Sequence, residues 1–354
     1  MTSAAAHAGS GRPAPAGVAA APQAPVAPAV LATTDPGDAQ APAPGAAREP
    51  EAHGRGWRRL VPSGRALVIG VPFGFLLLFF MLPFAVVMKI SLATSRLGVP
   101  PYADLARLDG EKLAIRLDFS SYVSVLTDSF YFSAYANSLR VAFFTTLICL
   151  AVGYPTAWLI ARARPERRSL LMMGVIIPFW TSYLVRVYAW VGLLKDQGLV
   201  NRFLHWSGLT HDTVHLMQNT FGLYVGMVYS YLPYMILPLY AFLVSMDRRL
   251  GEAAGDLGAR PLEAFATVTL PLSMPAVIAG SLLVFIPSVG EYVIPELLGA
   301  SDELMIGRVM WSDFFNSIAW PLAAAATCVM VAVLLLPMVW FQRIQNQTKG
   351  MAVA

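Results

Sequence analysis

EAAGDLGARPLEAFATVTLP, residues Glu252 to Pro271, is a soluble insert set between two long apolar runs. Glu252, Ala253 and Ala254 open a short helix through Leu257, and Gly258 supplies the left-handed residue on which helices commonly end. Pro261 then suits the first position of a second helix, where the missing amide costs nothing. Pro271 is expected to close that second piece before the next apolar run begins. The insert therefore reads as a compact helical elbow projecting from one side of a membrane.

The membrane setting follows from composition. The chain has 354 residues, of which 56% are hydrophobic and only 13% charged, with a mean hydropathy of +0.58. Average soluble domains are less apolar and about twice as charged. A net charge of +4 and a pI near 9.1 do not indicate nucleic acid, because the basic residues are scattered among loops. Cys149 and Cys328 lie in apolar runs and read as small buried hydrophobes. No disulfide framework or metal site follows from them, and His205, His211 and His215 fit no standard zinc spacing.

Working outward, six apolar spans are expected near residues 66–91, 138–161, 170–194, 221–244, 274–298 and 318–341. Each is long enough to cross a hydrocarbon core of about 30 Å. Residues 1–55, rich in Ala, Pro and Gly, cannot bury enough apolar surface to offset ordering, and read as a disordered cytoplasmic tail. Trp57, Arg58, Arg59 and Arg65 form an interfacial anchor, residues 56–345 the membrane domain, and 346–354 a short cytoplasmic tail. Arg162, Arg164, Arg167 and Arg168 after span two, and Arg248, Arg249 and Arg260 after span four, put those loops inside. Arg96, Arg107, Lys112 and Arg116 after span one are interleaved with Asp104, Asp109, Glu111 and Asp118. Both termini, and the elbow, are thus expected in the cytoplasm.

Glu252, Ala253 and Ala254, then three residues, Gly258, nine residues and Val268-Thr269-Leu270-Pro271 resemble the cytoplasmic EAA signature of permease subunits of binding-protein-dependent ABC importers. GYPTAW from Gly153, PFWTSYLVRVYAW from Pro178, VYSYLPYMILPLY from Val228 and PSVGEYVIPELLG from Pro287 are similar to spermidine/putrescine permeases. Val268 stands where that pattern usually has Ile, and Val187 where these relatives often have Thr. The resemblance implies an all-α fold of six transmembrane helices of the type I importer kind in the inner membrane. It further implies a second similar permease, an ABC ATPase dimer and an external binding protein as partners. ATP would be used by the ATPase, with no cofactor and no enzymatic activity in this chain, which lacks a GxxxxGK[ST] loop. Opines, phosphonates and ferric iron are carried by similar permeases. A stand-alone secondary transporter would instead show an internal repeat.

On the elbow, Ala253 and Ala254 leave a shallow surface for another protein, Glu252 offers a charge, and Gly258 and Pro261 fix the angle between two helices. These five residues are the candidate ATPase-coupling set. Candidates for the translocation path are the charges within spans, Arg186, Glu291 and Glu296, because an ionised group at mid-bilayer costs roughly 2.5 to 3.5 kcal/mol and faces protein or water. Arg186 and Glu291 fall at similar depth if spans three and five are straight. Two readings stay open: the pair neutralises itself and ties two spans, or Glu291 with Tyr183, Trp190, Tyr229 and Tyr231 attracts an organic cation. Asn137, Ser138 and Arg140, at the outer start of span two, suit capping or anchoring. Pro287, Gly290 and Pro295 in span five, and Pro233 and Pro238 in span four, mark interruptions where packing or a cavity needs them.

Overall fold

The computed structural model describes residues 64–96, 98–109, 112–247 and 249–351. The expected N-terminal tail, the Trp57, Arg58 and Arg59 anchor, Glu111 and Arg248 lie outside them. Span one is α1 (Gly64–Leu76), a π-helical turn (Leu77–Met81) and α2 (Leu82–Ser91). A short hairpin follows, β1 (Ala106–Asp109) pairing antiparallel with β2 (Lys112–Ile115), so the expected loop after span one carries a two-stranded ladder. Next come α3 (Ser120–Thr127), α4 (Ser129–Arg162), α5 (Pro165–Trp180), α6 (Tyr183–Leu194), α7 (Leu199–Trp206) and α8 (Thr220–Ser245). The elbow is α9 (Arg249–Asp256) and α10 (Pro261–Ala264), and a π-helical turn (Phe265–Thr269) leads into α11 (Leu270–Val289). Beyond it are α12 (Val293–Leu298), α13 (Ile306–Trp311), a third π-helical turn (Ser312–Asn316) and α14 (Trp320–Met351).

Among the described residues, five helices are long and apolar enough to cross a membrane, or six if one bent pair counts as a span. That pair is the expected span three, and it is not straight. Its two halves, on either side of Thr181 and Ser182, meet at 93°. Two neighbours of the break explain it: Pro178 lies inside the last turn of α5, and Thr181 turns extended with its hydroxyl donated back to the Pro178 carbonyl at 2.7 Å. A proline and a competing side-chain hydrogen bond remove the ladder that would carry the helix straight on.

Span five also differs from expectation. Its helix runs from Pro261 to Val289 without interruption, so Pro271 does not close the elbow. Leu270 bonds the Phe265 carbonyl five residues back, and this widened turn accommodates the proline that follows. The elbow's second helix is thus continuous with a membrane span. At the other end Gly290 ends the helix, which places Glu291 in a connection and Glu296 on α12, not inside span five. Helix α14 continues through Met351, so residues 346–351 are helical.

The core is a three-helix packing of α4, α8 and α11. Met235 of α8 is fully buried where Gly153 of α4 and Gly280 of α11 face it; a Cβ on either would stand 2.9 Å from its side chain. Small residues opposite a flexible one let membrane helices approach closely. Tyr154 and Ser273 add a buried hydroxyl pair at 2.8 Å between α4 and α11. A second cluster joins α4 to α13 and α14 around Ala134, Ile306 and Ala325. Helix α14 also packs on α2 and α3. Cys149 and Cys328 are buried free thiols.

Candidate functional site

Two regions concentrate the sequence candidates. The first is the elbow. Asp247 accepts the Arg249 amide at 3.0 Å and starts α9, and Glu252 in its first turn suits the positive end of the helix dipole. At the other end the Ala259 amide reaches the Ala254 carbonyl (3.0 Å) and the Gly258 amide the Gly255 carbonyl (2.9 Å). These paired bonds require a left-handed residue between the helices, and Gly258 has φ +91° with open space around its α-carbon. Arg260 then precedes Pro261, and Glu263 folds back to accept the Arg260 amide at 2.9 Å.

No residue of α9 or α10 is buried. Leu257 is 90% exposed and Leu262 78%, apolar side chains on an otherwise polar projection, which mark a contact surface. The composition of the motif draws attention to its alanines and passes over these leucines. Behind the elbow, a cavity of about 850 Å³ separates Glu252, Gly255 and Phe265 from Tyr154, Trp158 and Arg162 at the end of α4. The Arg162 guanidinium lies 4.0 Å above the Trp158 ring.

The second region surrounds Glu291. Its Oε1 accepts the Tyr183 hydroxyl at 2.7 Å and the Tyr292 and Val293 amides at 3.1 and 3.0 Å. Its Oε2 accepts the Tyr231 hydroxyl. The carboxylate therefore starts α12 and gathers α6 and α8 to the C-terminal end of α11. Tyr183 reaches it because the break at Thr181 and Ser182 turns α6 across the bundle. Gly307 holds the same segment from behind: a Cβ there would stand 2.5 Å from the Gly290 carbonyl oxygen and 2.6 Å from that of Glu291.

The expected Arg186 to Glu291 pair is not formed. The Arg186 guanidinium stacks 4.6 Å from the Phe179 ring centre and 5.8 Å from that of Tyr183. Its Nε and Nη1 are buried without a hydrogen-bond partner among the described residues. The depth comparison behind that pairing assumed straight spans, and both are broken where it matters. Glu296 instead pairs with Arg308 of α13 at 2.6 Å. Trp190 and Tyr229 form an edge-on aromatic pair, 5.4 Å between ring centres. Thus Tyr183, Tyr231 and Glu291 converge, Arg186 abuts them through Tyr183, and Glu296 engages a different charge.

Arg308 and Gly307 carry no motif, so only their positions in the fold reveal them. Asn137 and Ser138 stand more than two turns inside α4, not at its outer start; Asn137 donates to the Leu304 carbonyl at 3.2 Å and Ser138 accepts the Ile306 amide at 2.7 Å. They anchor the segment around Leu304 and Ile306 to α4. Asp313, outside the spans, accepts the Tyr131 hydroxyl at 2.6 Å. Burial raises its carboxyl above the usual range, partly offset by that bond.

A chain with these spans, one of them broken, and a projecting helical elbow is a type I ABC importer permease in fold. Its structure matches a bacterial ABC transporter involved in the import of the acidic polysaccharide alginate, with TM-score 0.57 and 16% identity, covering 80% of this chain and 96% of that one. A bacterial alginate ABC transporter in complex with an alginate pentasaccharide-bound periplasmic protein matches with TM-score 0.59 at 17% identity, covering 80% of this chain and 96% of that one. Residues 153–349 match the family model of the binding-protein-dependent transport system inner membrane component, and the chain belongs to that family. It is 35% identical over 261 residues to the spermidine/putrescine transport system permease protein PotB of Escherichia coli, covering 74% of this chain and 90% of that protein. PotB of Haemophilus influenzae is 34% identical over 262 residues, covering 74% and 87%. The E. coli inner membrane ABC transporter permease protein YdcU is 32% identical over 220 residues, covering 59% and 70%.

Proposed function

We propose that this chain is a permease subunit of an ATP-driven importer for polyamines such as spermidine and putrescine. The observation that carries the reading is its 35% identity to a spermidine/putrescine permease across 90% of that protein. Glu291 adds chemical support, because a carboxylate ringed by the phenols of Tyr183 and Tyr231 suits an ammonium group, which can take over both the charge and the aromatic faces. In this reading an entering ammonium displaces a tyrosine hydroxyl from Glu291, and the broken spans let that rearrangement occur without unwinding a continuous helix.

The chain itself is not an enzyme. It has no phosphate-binding loop of the GxxxxGK[ST] kind, and nucleotide chemistry belongs to an ATPase pair that docks on the elbow. Glu252, Ala253, Ala254, Gly258 and Pro261, with the exposed Leu257 and Leu262, form the docking surface. Because α10 runs on into α11, motion of the elbow is delivered directly to a membrane helix. A second permease completes the pathway, and an external binding protein delivers cargo to the face opposite the elbow. The test is reconstitution: the chain with its ATPase and second permease in vesicles should hydrolyse ATP faster when spermidine-loaded binding protein is added, and accumulate spermidine. Stimulated hydrolysis by a binding protein loaded only with another solute would overturn the polyamine assignment and leave the importer assignment standing.

A further inference from the structure

We propose that α7 is an interfacial helix: it lies along the lipid leaflet on the side of the membrane opposite the elbow, with Leu199, Phe203 and Trp206 seated among acyl chains and Arg202 and His205 at the headgroup phosphates. The inference does not depend on the nature of the cargo. Helix α7 reads LVNRFLHW and carries no acidic residue. Leu199, Phe203 and Trp206 follow one another at four and then three residues, so they share one face. All three are exposed, Trp206 to 83%, and the Phe203 and Trp206 ring centres lie 6.0 Å apart. Arg202 and His205, also exposed, flank that face on one side. The opposite face is fixed to the protein. Buried Asn201 donates to the Lys195 carbonyl at 3.3 Å and the Val214 carbonyl at 2.9 Å, and accepts the Val214 amide at 3.1 Å. These bonds hold α7 against rolling about its axis, so the apolar face stays turned outward.

Three observations select lipid as the occupant. The first is position: α7 follows α6 and precedes α8, whose far end leads into the elbow, so it sits where a membrane span begins. The second is direction. Helix α5 has 16 residues, about 24 Å of rise, which takes it across most of a hydrocarbon core of about 30 Å. The following half, Tyr183–Trp206, contains α7 and is turned by 93° from α5. With α5 crossing the bilayer, α7 therefore runs close to the membrane plane, at the boundary α5 has reached. The third is chemistry. Leucine, phenylalanine and tryptophan on one face with bases beside them suit a helix resting about 5 to 10 Å into the headgroup region, and tryptophan favours that boundary. A protein partner fits less well, because three such side chains offer on the order of 500 Å², short of the about 800 Å² that one partner brings to a stable protein interface. Since Asn201 ties α7 to the C-cap of α6, lipid contact also steadies the half-span that carries Tyr183.

The test uses the whole importer, purified and placed in vesicles of phosphatidylethanolamine and phosphatidylglycerol. An environment-sensitive fluorophore is attached in turn at Leu199→Cys, Phe203→Cys, Trp206→Cys and His205→Cys; both native cysteines are buried, and the unaltered chain gives the background labelling. At positions 199, 203 and 206 the emission should shift to the blue and be quenched by lipid carrying a nitroxide near the headgroup end of its acyl chain. At position 205 the emission should stay water-like and the quenching weak. Water-like emission at all three apolar positions overturns the proposal, as does quenching at 205 equal to that at 206, which would deny the assigned face. A blue shift without nitroxide quenching would show that protein covers the stripe. A blue shift that appears only when the external binding protein is added would assign the stripe to that partner; either result overturns the lipid seating. Where labelling at one apolar position impairs assembly, the other two decide.

Discussion

At the scale of single residues, Glu291 carries two burdens that a substitution can separate. Its carboxylate starts α12 and brings an acidic group to the Tyr183 and Tyr231 cluster. Glu291→Gln keeps a carbonyl oxygen for the amides and one phenol while removing the charge. The expected result is a normally inserted chain whose kcat/KM for spermidine uptake falls about tenfold to a hundredfold, the range for a lost charge-assisted contact. Unchanged uptake by the assembled importer would remove Glu291 from the path. Gly307→Ala is expected to do the opposite, pushing the Gly290 and Glu291 carbonyls away by several tenths of an ångström. It should lower the amount of folded chain in the membrane, seen as reduced detergent-extracted monodisperse protein, with uptake falling in step. That a charge at position 291 needs a special environment was legible from the apolar run around it. Its environment was not, because Pro287 and Gly290 read equally well as a kink within a span or as its end. Tyr183 arrives from a helix whose direction is set by a break more than a hundred residues earlier in the chain, and Tyr231 from the separate helix α8.

At the scale of elements, the elbow was the most legible part of the molecule and the broken span the least. Gly258, Pro261 and their spacing specify two helices meeting at a left-handed residue, and that local chemistry outweighs anything tertiary. Pro271 misled for an equally local reason: a proline read by itself ends a helix, but a preceding π-helical turn absorbs it. The Thr181 and Ser182 break is the converse, since residues 170–194 are apolar apart from Thr181, Ser182 and Arg186, and periodicity does not distinguish one span from two half-spans at 93°. Replacing Gly258 with Val places a β-branched residue at φ +91°, at a cost of about 1 to 2 kcal/mol or a rearranged elbow. Spermidine uptake should fall at least about tenfold while the ATPase subunits retain basal hydrolysis. Gly258→Asn, a residue that tolerates the left-handed region, should keep much of the coupling. Equal uptake and equal stimulated hydrolysis in the Val variant would refute the lever reading.

At the scale of the whole molecule, the orientation rests on where the arginines lie, and the fold adds a consequence that charge counting lacks. Because α10 and α11 form one continuous helix, the elbow and the Glu291 connection must lie toward opposite faces of the membrane, about 30 residues or some 45 Å apart along it. If the elbow is cytoplasmic, the Asp196 and His215 contact, like Glu291, belongs to the outer side, since α8 leads from that region to the elbow. Leu257 at 90% exposure and His215 at 79% give reporters for the two faces. A membrane-impermeant maleimide should label His215→Cys in intact spheroplasts and Leu257→Cys only after the membrane is opened, with the buried native thiols silent in both. The reverse pattern would invert the topology and remove the elbow from reach of any cytoplasmic ATPase. Labelling of both positions in intact spheroplasts would mean that the span between them does not cross the membrane, which the uninterrupted 26-residue helix α8 from Thr220 to Ser245 argues against.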